Sequence, residues 1–294
     1  MNSYNQTCVC CQHHPVEKID RLSPPGISTS FDIMECPNCK MMQAVPSPLQ
    51  SFEYSSFYQN QYHYGDYLNR STITPYHQSI LNHGSEPYQR EIQRLLAIKP
   101  DIKTILDVGC GIPFFLYFAA QAGMDPLGLD VVPAIINYSA AVFKIEIMTT
   151  LLPQANLEPA SFDLIRYHHV FEHLQNPIDE LKRITLYIKP GGLLKISIPN
   201  RFCWKLIVKR LILHKPKSYN AVDPPHHFFG YSLTAICSLM EQFYFRLVSQ
   251  YSNPIAILPG EKRFRKTILN WIDTRLIPCY YQADLNLIFQ YQRY

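Results

Sequence analysis

The sequence predicts an α/β fold in which helices cover both faces of a mostly parallel sheet. The first observation is a short apolar run, Ile105–Val108, followed directly by Gly109 and Gly111 and then by an apolar segment that starts at Pro113. Such a run is typical of a buried strand, and proline suits the first turn of a helix, where its missing N–H would have no partner. The second observation is another short strand, about twenty residues after the glycines, that ends in Asp130. Together these features indicate a doubly wound sheet that binds a nucleoside-containing cofactor.

The remaining elements are predicted in alternation along the chain. Apolar runs bounded by glycine and proline indicate strands, apolar residues at helical spacing indicate helices, and Asn176 is a typical N-cap. In chain order we predict a helix at 88–98, a strand at 104–108, a helix at 113–122, a strand ending at 130, a helix at 133–143, strands at 145–148 and 162–168, a helix from 177 that ends at 189–191, a strand at 193–198, a helix at 232–242, a strand at 243–250 and a final antiparallel strand at 285–291.

Three further segments complete a pattern that resembles the class I S-adenosylmethionine-dependent methyltransferases. The strand Phe162–Ile165 leads into Phe171–Leu174, and Lys189–Gly192 forms a turn before the next strand. With Asp107–Gly111, which reads DVGCG, these segments match the motifs of that family over residues 103–245. The resemblance implies a Rossmann-like sheet of seven strands, S-adenosylmethionine as the cofactor and methyl transfer as the reaction.

The resemblance also implies a cofactor site. The amides of Gly109 and Gly111 are expected to meet the methionine part, and the carboxylate of Asp107 is suited to its ammonium group. Asp130 is expected to accept both ribose hydroxyls. His169, at the exit of the strand 162–168, is also assigned to the cofactor. The chain departs from the family in one respect, since Pro113 stands where a third glycine is frequent.

Five histidines are candidates for the base that deprotonates a methyl acceptor, because histidine titrates near neutral pH. His168, His169 and His173 lie near the exit of the strand 162–168, and His226 and His227 lie in the segment 222–230 before the helix 232–242. We predict catalytic roles for His226 and His227 on the acceptor side and also assign His173 to the catalytic set. A structural, hydrogen-bonded role is the alternative for each.

Residues 1–45 are predicted to form a small zinc-ribbon-like module. Cys8 and Cys11 form one C-x2-C pair, and Cys36 and Cys39 form a second. Four soft sulfur ligands are the set that structural Zn²⁺ prefers, and a closed set leaves no position for substrate. Rival ligands are Cys10, His13 and His14, and free thiols or redox disulfides are the alternative to a metal.

Residues 46–100 are predicted to be a connector, and 101–294 the methyltransferase-like domain with helical insertions near 202–217 and 262–280. Seven aromatic residues between Phe52 and Tyr67 indicate either a substrate cleft or a clasp between the two parts. The insertions contain basic amphipathic segments at 202–213 and 262–277, and the first resembles a membrane-touching insertion of ubiquinone-biosynthesis O-methyltransferases. We expect a lid or dimer face, with peripheral membrane contact through 202–213 as the alternative.

Composition narrows the function classes. A formal net charge of +4 in 294 residues is too small to indicate a nucleic-acid partner. The polar N-terminus and the lack of a long apolar run predict a cytoplasmic protein. We therefore expect methyl transfer to oxygen or carbon of a small molecule, such as a sugar, a nucleotide sugar or a quinone-like metabolite. The alternatives are an RNA or protein methyltransferase that docks through the zinc module, and an inactive partner subunit that binds the cofactor.

Overall fold

A computed structural model describes residues 7–46, 73–204, 221–251 and 284–293. Three sequence predictions therefore lie outside the described residues: the aromatic segment 52–67, the basic helix 202–213 beyond its first three residues, and the basic segment 262–277. None of the described helices is long and apolar enough to cross a membrane.

The central element is the predicted sheet of seven strands. Its strands in chain order are β4 (Thr104–Val108), β5 (Asp125–Asp130), β6 (Ile147–Thr149), β7 (Phe162–His168), β8 (Ile188–Pro199), β10 (Phe245–Tyr251) and β11 (Asp284–Tyr291). Their spatial order is β10-β11-β8-β7-β4-β5-β6. The pairings among β8, β7, β4, β5 and β6 are parallel, and β11 pairs antiparallel with both β8 and β10. The strand order reverses between β4 and β7, which is where a doubly wound sheet opens a crevice for ligands.

Helices cover both faces of this sheet, as predicted. They are α1 (Pro75–His83), α2 (Glu86–Ile98), α3 (Phe114–Gln121), α4 (Pro133–Tyr138), α5 (Pro177–Tyr187) and α6 (Leu233–Glu241). The buried residues of α2, α3 and α4 belong to one hydrophobic cluster, and those of α5 and α6 belong to another. The side chain of Asn176 accepts a hydrogen bond from Asp179 N at 3.2 Å, which confirms the predicted N-cap.

Several boundaries differ from the sequence prediction. The predicted helix 133–143 is α-helical only to Tyr138 and ends in a π-helical turn, Ser139–Phe143. The strand β8 begins at Ile188, so the segment expected to be a turn lies within the strand. There the register between β7 and β8 shifts and Gly191 has φ +71°, a bulge conformation that glycine adopts without strain.

The N-terminal cysteine segment forms a second sheet that the methyltransferase-like part of the chain completes. This four-stranded sheet has the order β1 (Glu17–Leu22), β2 (Phe31–Glu35), β3 (Met42–Pro46) and β9 (Phe229–Gly230). In β9, Phe229 pairs with Gln43 and Gly230 with Met42. The rings of Phe31 and Phe228 are also in contact, with centroids 6.0 Å apart. The module therefore packs on the segment that carries His226 and His227.

Candidate active site

The glycine turn lies at the carboxyl end of β4 and has the conformation that glycine is needed for. Gly109 and Gly111 have φ of +64° and +54°, which residues with a Cβ rarely adopt. A Cβ on Gly109 would lie 2.5 Å from Val170 Cγ2, so the turn packs closely against the segment that follows β7. A Cβ on Gly111 would meet nothing within 4 Å, and this open space is where a ligand can approach the backbone.

The two glycine amides do not point at a ligand, contrary to the sequence expectation. Gly109 N donates to Leu129 O at 2.8 Å, and Gly111 N donates to Asp130 Oδ2 at 2.9 Å. Both N–H groups are used to join the turn to β5. The glycines thus contribute backbone conformation and space rather than donors.

Asp130 lies at the carboxyl end of β5, as predicted, and it organises the turn. Its Oδ1 accepts from Val132 N at 3.0 Å while Oδ2 accepts from Gly111 N. Burial raises the pKa of Asp130, and these backbone donors oppose the rise. Each carboxylate oxygen has two lone pairs, so each retains one for a further donor such as a ribose hydroxyl. The residues of the turn therefore fit the adenosine end of the cofactor.

Asp107 is buried and paired within the protein. Both of its oxygens accept from Arg166 Nη1, at 2.9 and 3.0 Å, and Arg166 Nε donates to Glu91 Oε1 at 2.7 Å. Lys195 Nζ lies 3.3 Å from the same glutamate oxygen, so two cations and two anions compensate one another. Burial raises the pKa of Asp107 despite the guanidinium of Arg166. Asp107 thus forms a buried ion pair between β4 and β7. Its contact with a cofactor ammonium stays a prediction.

A second group of polar side chains lies where β7 ends. A 3₁₀ turn, Phe171–His173, presents Glu172 and His173, and the loop before β9 brings His227 against them. One ligand-type atom from each of the three lies within 4.8 Å of the others. The rings of His173 and His227 meet edge to face, with centroids 4.7 Å apart. The sequence predicted both histidines as catalytic candidates, and the structure brings them together.

Hydrogen bonds fix this cluster from outside. His173 Nδ1 lies 2.7 Å from His226 O, and because a carbonyl only accepts, Nδ1 must carry the proton. Phe228 N donates to Glu172 O at 2.9 Å, and Ala44 N donates to Phe228 O at 2.8 Å. The backbone of the segment 222–230 is therefore tied both to the 3₁₀ turn and to the cysteine module.

The ionisation of the histidines differs across the cluster. Burial lowers the pKa of His173 and of His227, which favours neutral imidazoles. For His169 burial acts in the same direction, but Glu172 and Asp284 outweigh it and raise its pKa. His169 Nδ1 lies 3.4 Å from Glu172 Oε1, and its Nε2 lies 3.8 Å from Asp284 Oδ2. His169 thus adjoins the cluster beside two carboxylates that favour its protonated form, and its assignment to the cofactor stays a prediction.

The other histidine candidates lie at the margin. The ring of His226 is exposed, and what this residue gives the cluster is its backbone carbonyl. His168 ends β7, where its Nδ1 lies 3.3 Å from Lys195 Nζ. The residue that sequence reasoning missed is Glu172, whose carboxylate is central to the cluster. The sequence feature that could have identified Glu172 is its position between His169 and His173, shortly after a buried strand.

The four predicted cysteines converge in the N-terminal module. The sulfur atoms of Cys8 and Cys39 are 3.6 Å apart, as are those of Cys11 and Cys36, and all four lie within 4.8 Å of one another. Sulfur atoms around a tetrahedral Zn²⁺ are about 3.8 Å apart, so this set fits the ion. All four are free thiols, and Cys10, His13 and His14 are not part of the described group. The four predicted cysteines are thus the ones that the structure groups together, and their role as zinc ligands stays a prediction.

Comparison with known proteins assigns the family. Residues 80–250, more than half of the chain, match the family model described as a methyltransferase domain. The chain belongs to this methyltransferase family. Among curated proteins it is similar to the ubiquinone biosynthesis O-methyltransferase of Aliivibrio fischeri, with 29% identity over 34% of this chain and 45% of that protein. The protein of the same name from Photobacterium profundum is 30% identical over the same shares. The methyltransferase chain thus spans less than half the length of these relatives.

A solved structure shows the same fold. The 1,6-didemethyltoxoflavin-N1-methyltransferase of Burkholderia thailandensis, determined with 1,6-didemethyltoxoflavin and S-adenosylhomocysteine bound, aligns with a TM-score of 0.50 over 92% of this chain and 99% of its own. The identity is 12%, so this likeness concerns the fold alone. It confirms the Rossmann-like class predicted from the sequence.

Proposed function

We propose that this protein transfers a methyl group from S-adenosylmethionine to a small-molecule acceptor, at a hydroxyl oxygen or an acidic carbon. The observation that carries the proposal is the position of Asp130. It joins the glycine turn to β5 at the edge where the strand order reverses, and it keeps lone pairs for a ribose. The family assignment supports the same cofactor.

Two neighbouring regions of the chain are proposed to bind the cofactor and the methyl acceptor. S-adenosylmethionine supplies a methyl group already activated by a sulfonium. Asp130 and the open space at Gly111 would hold the adenosine side, while Glu172, His173 and His227 would face the acceptor. The close packing of Gly109 on Val170 places these two regions side by side. Aligning the acceptor with the methyl group and removing its proton are then the tasks left to the protein.

A hydroxyl acceptor is the substrate class that this arrangement supports best. An alcohol or phenol must lose its proton as its oxygen attacks, and two imidazoles of lowered pKa lie in the cluster. When the oxygen forms its bond to the methyl carbon, the carbon–sulfur bond breaks and its electron pair stays on sulfur. The O-methyltransferase names of the curated relatives agree with this class.

The zinc module is proposed to be structural rather than a docking site for RNA or protein. Its four thiolates close the coordination sphere, and its sheet is completed by β9. Because the module pairs with the segment 222–230, which carries His227, it is suited to shaping a small-molecule site. This favours a small acceptor over the macromolecular alternative.

Calorimetry with S-adenosylmethionine and S-adenosylhomocysteine tests the cofactor, and a panel of sugars, nucleotide sugars and phenols tests the acceptor by release of S-adenosylhomocysteine. We expect cofactor binding without any acceptor. With the acceptor found, His227→Ala should lower turnover by about 10²–10⁴ while cofactor affinity changes little. If the protein binds neither S-adenosylmethionine nor S-adenosylhomocysteine, the proposal is overturned. The alternative of an inactive partner subunit would also lose its support, because that subunit is expected to bind the cofactor.

A further inference from the structure

The carboxylate of Glu172 is a buried anion that the described protein leaves without a hydrogen bond. The residue is 1% exposed, and neither Oε1 nor Oε2 has a hydrogen-bond partner. Burying a carboxylate in this way is unfavourable unless a cation or donors compensate it. Among the described ion pairs, the basic side chain closest to this carboxylate is His169, whose Nδ1 lies 3.4 Å from Oε1, and that side chain is 38% exposed. Such a carboxylate indicates a ligand that bears positive charge.

Two imidazoles point to the kind of cation. Nδ1 of His227 is buried and has no hydrogen-bond partner among the described residues, although the ring lies in a polar cluster. In His173, Nδ1–H donates to His226 O, and this bond sets the tautomer of the neutral ring. The lone pair therefore lies on Nε2, which is 4.0 Å from Glu172 Oε1. A backbone carbonyl that holds the outer N–H of a histidine is the usual support of a metal-binding imidazole. Burial also lowers the pKa of both rings, which favours the neutral form that binds a metal.

We propose that Glu172, His173 and His227 bind one divalent transition-metal ion, with Zn²⁺ as the reference ion. One carboxylate and two imidazoles form a three-ligand set that leaves a fourth position open, unlike the closed cysteine set. Donor atoms around such an ion are roughly 3.3–3.5 Å apart. The three side chains, whose ligand atoms are within 4.8 Å, reach that spacing by small side-chain rotations.

The open position assigns a role to the ion, and this role rests on the proposed function. A hydroxyl oxygen of the acceptor that binds there becomes more acidic, because the ion stabilises the alkoxide or phenolate. The proton passes to solvent, the oxygen forms its bond to the methyl carbon, and the electron pair of the broken carbon–sulfur bond remains on sulfur. The ion is unchanged. An acceptor with a second oxygen beside the first, such as a catechol or a sugar diol, suits this site best, because Zn²⁺ can expand to five ligands and bind both oxygens.

The test counts metal ions rather than turnovers. The protein is loaded with Zn²⁺, treated with EDTA under conditions that leave the thiolate-bound ion in place, and titrated with Zn²⁺ by calorimetry. Elemental analysis gives the number of ions before and after, and Co²⁺ titration reports the ligand type by its visible spectrum. We expect one ion to be retained and one more to be taken up. The second should give a nitrogen–oxygen Co²⁺ spectrum without thiolate bands.

Variants assign the second ion to its ligands. Glu172→Gln and His227→Ala should each weaken its binding by at least about 100-fold, while the first ion stays bound. His226→Ala is the matched control, since it removes a neighbouring exposed ring and keeps the carbonyl that holds His173. If Glu172→Gln fails to fold by circular dichroism, His227→Ala decides alone. Uptake of no second ion, or unaltered second-ion affinity in His227→Ala, overturns the proposal.

Failure of the metal proposal and failure of the proposed function are distinguishable. Cofactor binding is measured on the EDTA-treated protein, where only the thiolate ion remains. If the cofactor binds and no second ion does, methyl transfer stands and the cluster acts as a metal-free base. If the second ion binds and the cofactor does not, the metal site stands and the proposed function fails.

Discussion

At the scale of the residue, Asp130 has two tasks, and the loss of either affects the cofactor. Its two oxygens hold Gly111 and Val132, so its removal both frees the glycine turn and deletes the expected ribose acceptor. We predict that Asp130→Ala weakens S-adenosylmethionine binding by about 2–3 kcal/mol, the worth of two charge-assisted hydrogen bonds. Calorimetry on the wild type and the variant measures it.

Two further variants make the Asp130 prediction specific. Asp130→Asn keeps one acceptor oxygen but turns an NH₂ group toward a backbone N–H, so its affinity should lie between the wild type and the alanine variant. Asp125→Ala removes an exposed carboxylate from the start of the same strand and should change nothing. An alanine variant at position 130 that binds as tightly as the wild type would remove Asp130 from the cofactor site.

Glu91 makes stability depend on acid pH. Burial opposes its ionisation, but Arg166 and Lys195 outweigh burial and lower its pKa from 4.5 to about 2. In the unfolded chain the carboxylate takes up its proton first, so the stabilisation is present above pH 4.5 and is lost as pH falls toward 2. The difference between these two pKa values is worth about 3 kcal/mol in order of magnitude.

Urea unfolding between pH 2.5 and 6 measures this contribution of Glu91. We predict that the free energy of unfolding of the wild type falls with pH over this range and that Glu91→Gln shows a weaker fall. Glu86→Gln is the control, since Glu86 lies on the same helix but is exposed and pairs only with Arg90 among the described ion pairs. Equal pH slopes in the wild type and Glu91→Gln would contradict the assignment.

The partners of single buried charged residues were not predicted from the sequence. Asp107 was assigned to the cofactor through the family resemblance, and that assignment stays a prediction, but its buried pairing with Arg166, 59 positions away in sequence, was not predicted. A charged residue inside the apolar strand 162–168, and Lys195 inside 193–198, were available signals for buried pairing. The turn glycines and Asp130 were placed correctly, because their local backbone and spacing are specific to such sheets.

At the scale of the element, the two-residue strand β9 links the cysteine module to the candidate acceptor site. Gly230 has no room for a side chain, since a Cβ there would lie 2.8 Å from Val222 Cγ2 and 3.1 Å from Ala221 Cβ. Gly230→Ala should therefore push β9 away from β3, and the shift passes through Phe228 to Glu172 and His227. We predict a loss of about 1–3 kcal/mol in stability, typical of overpacking.

The double variant Gly230→Ala/Val222→Ala is the control for that clash. Val222→Ala removes the atom that the new Cβ would meet, so the double variant should be more stable than the sum of the two single changes by at least about 0.5 kcal/mol. Chemical unfolding of the wild type, the two single variants and the double variant measures this coupling free energy. Strict additivity would show that Val222 does not cause the strain.

The large elements were predictable and the small ones were not. Strands such as β4, β7 and β11 are five to eight residues long and rich in apolar residues, so their pattern is visible in the sequence. The strand β9 has two residues, and its partner β3 is far away in sequence. A segment of two residues has no hydrophobic periodicity that could predict a strand. Its pairing with a strand so far away in sequence depends on tertiary packing. The shared sheet, and with it the approach of Glu172 to His227, could therefore not be derived from the sequence.

At the scale of the whole molecule, the described cysteine module and the central sheet form one packed body. A single hydrophobic cluster contains Phe31 and Met34 of the module, Phe229 of β9 and Ile165 of β7. Ser232 Oγ donates to Cys39 O at 2.6 Å, and Gln242 Nε2 donates to Cys10 O at 2.6 Å, which ties helix α6 to both cysteine turns. An independent module could lose its metal while the main domain stays folded. These contacts argue against that independence.

The last prediction follows from this shared core and concerns unfolding of the whole chain. Cys36→Ser should release the thiolate-bound ion, and because β9 and α6 lose their partners, it should also lower the melting temperature of the methyltransferase domain. In the wild type, zinc release followed with a chromogenic chelator and loss of helix followed by far-UV circular dichroism should have the same midpoint in urea. Cys237→Ser is the matched control, since it removes a thiol from helix α6 outside the four-cysteine group and should keep both the ion and the midpoint. If zinc leaves well before the helices unfold, and Cys36→Ser melts like the wild type, then the module is an independent domain and the shared sheet contributes little to stability.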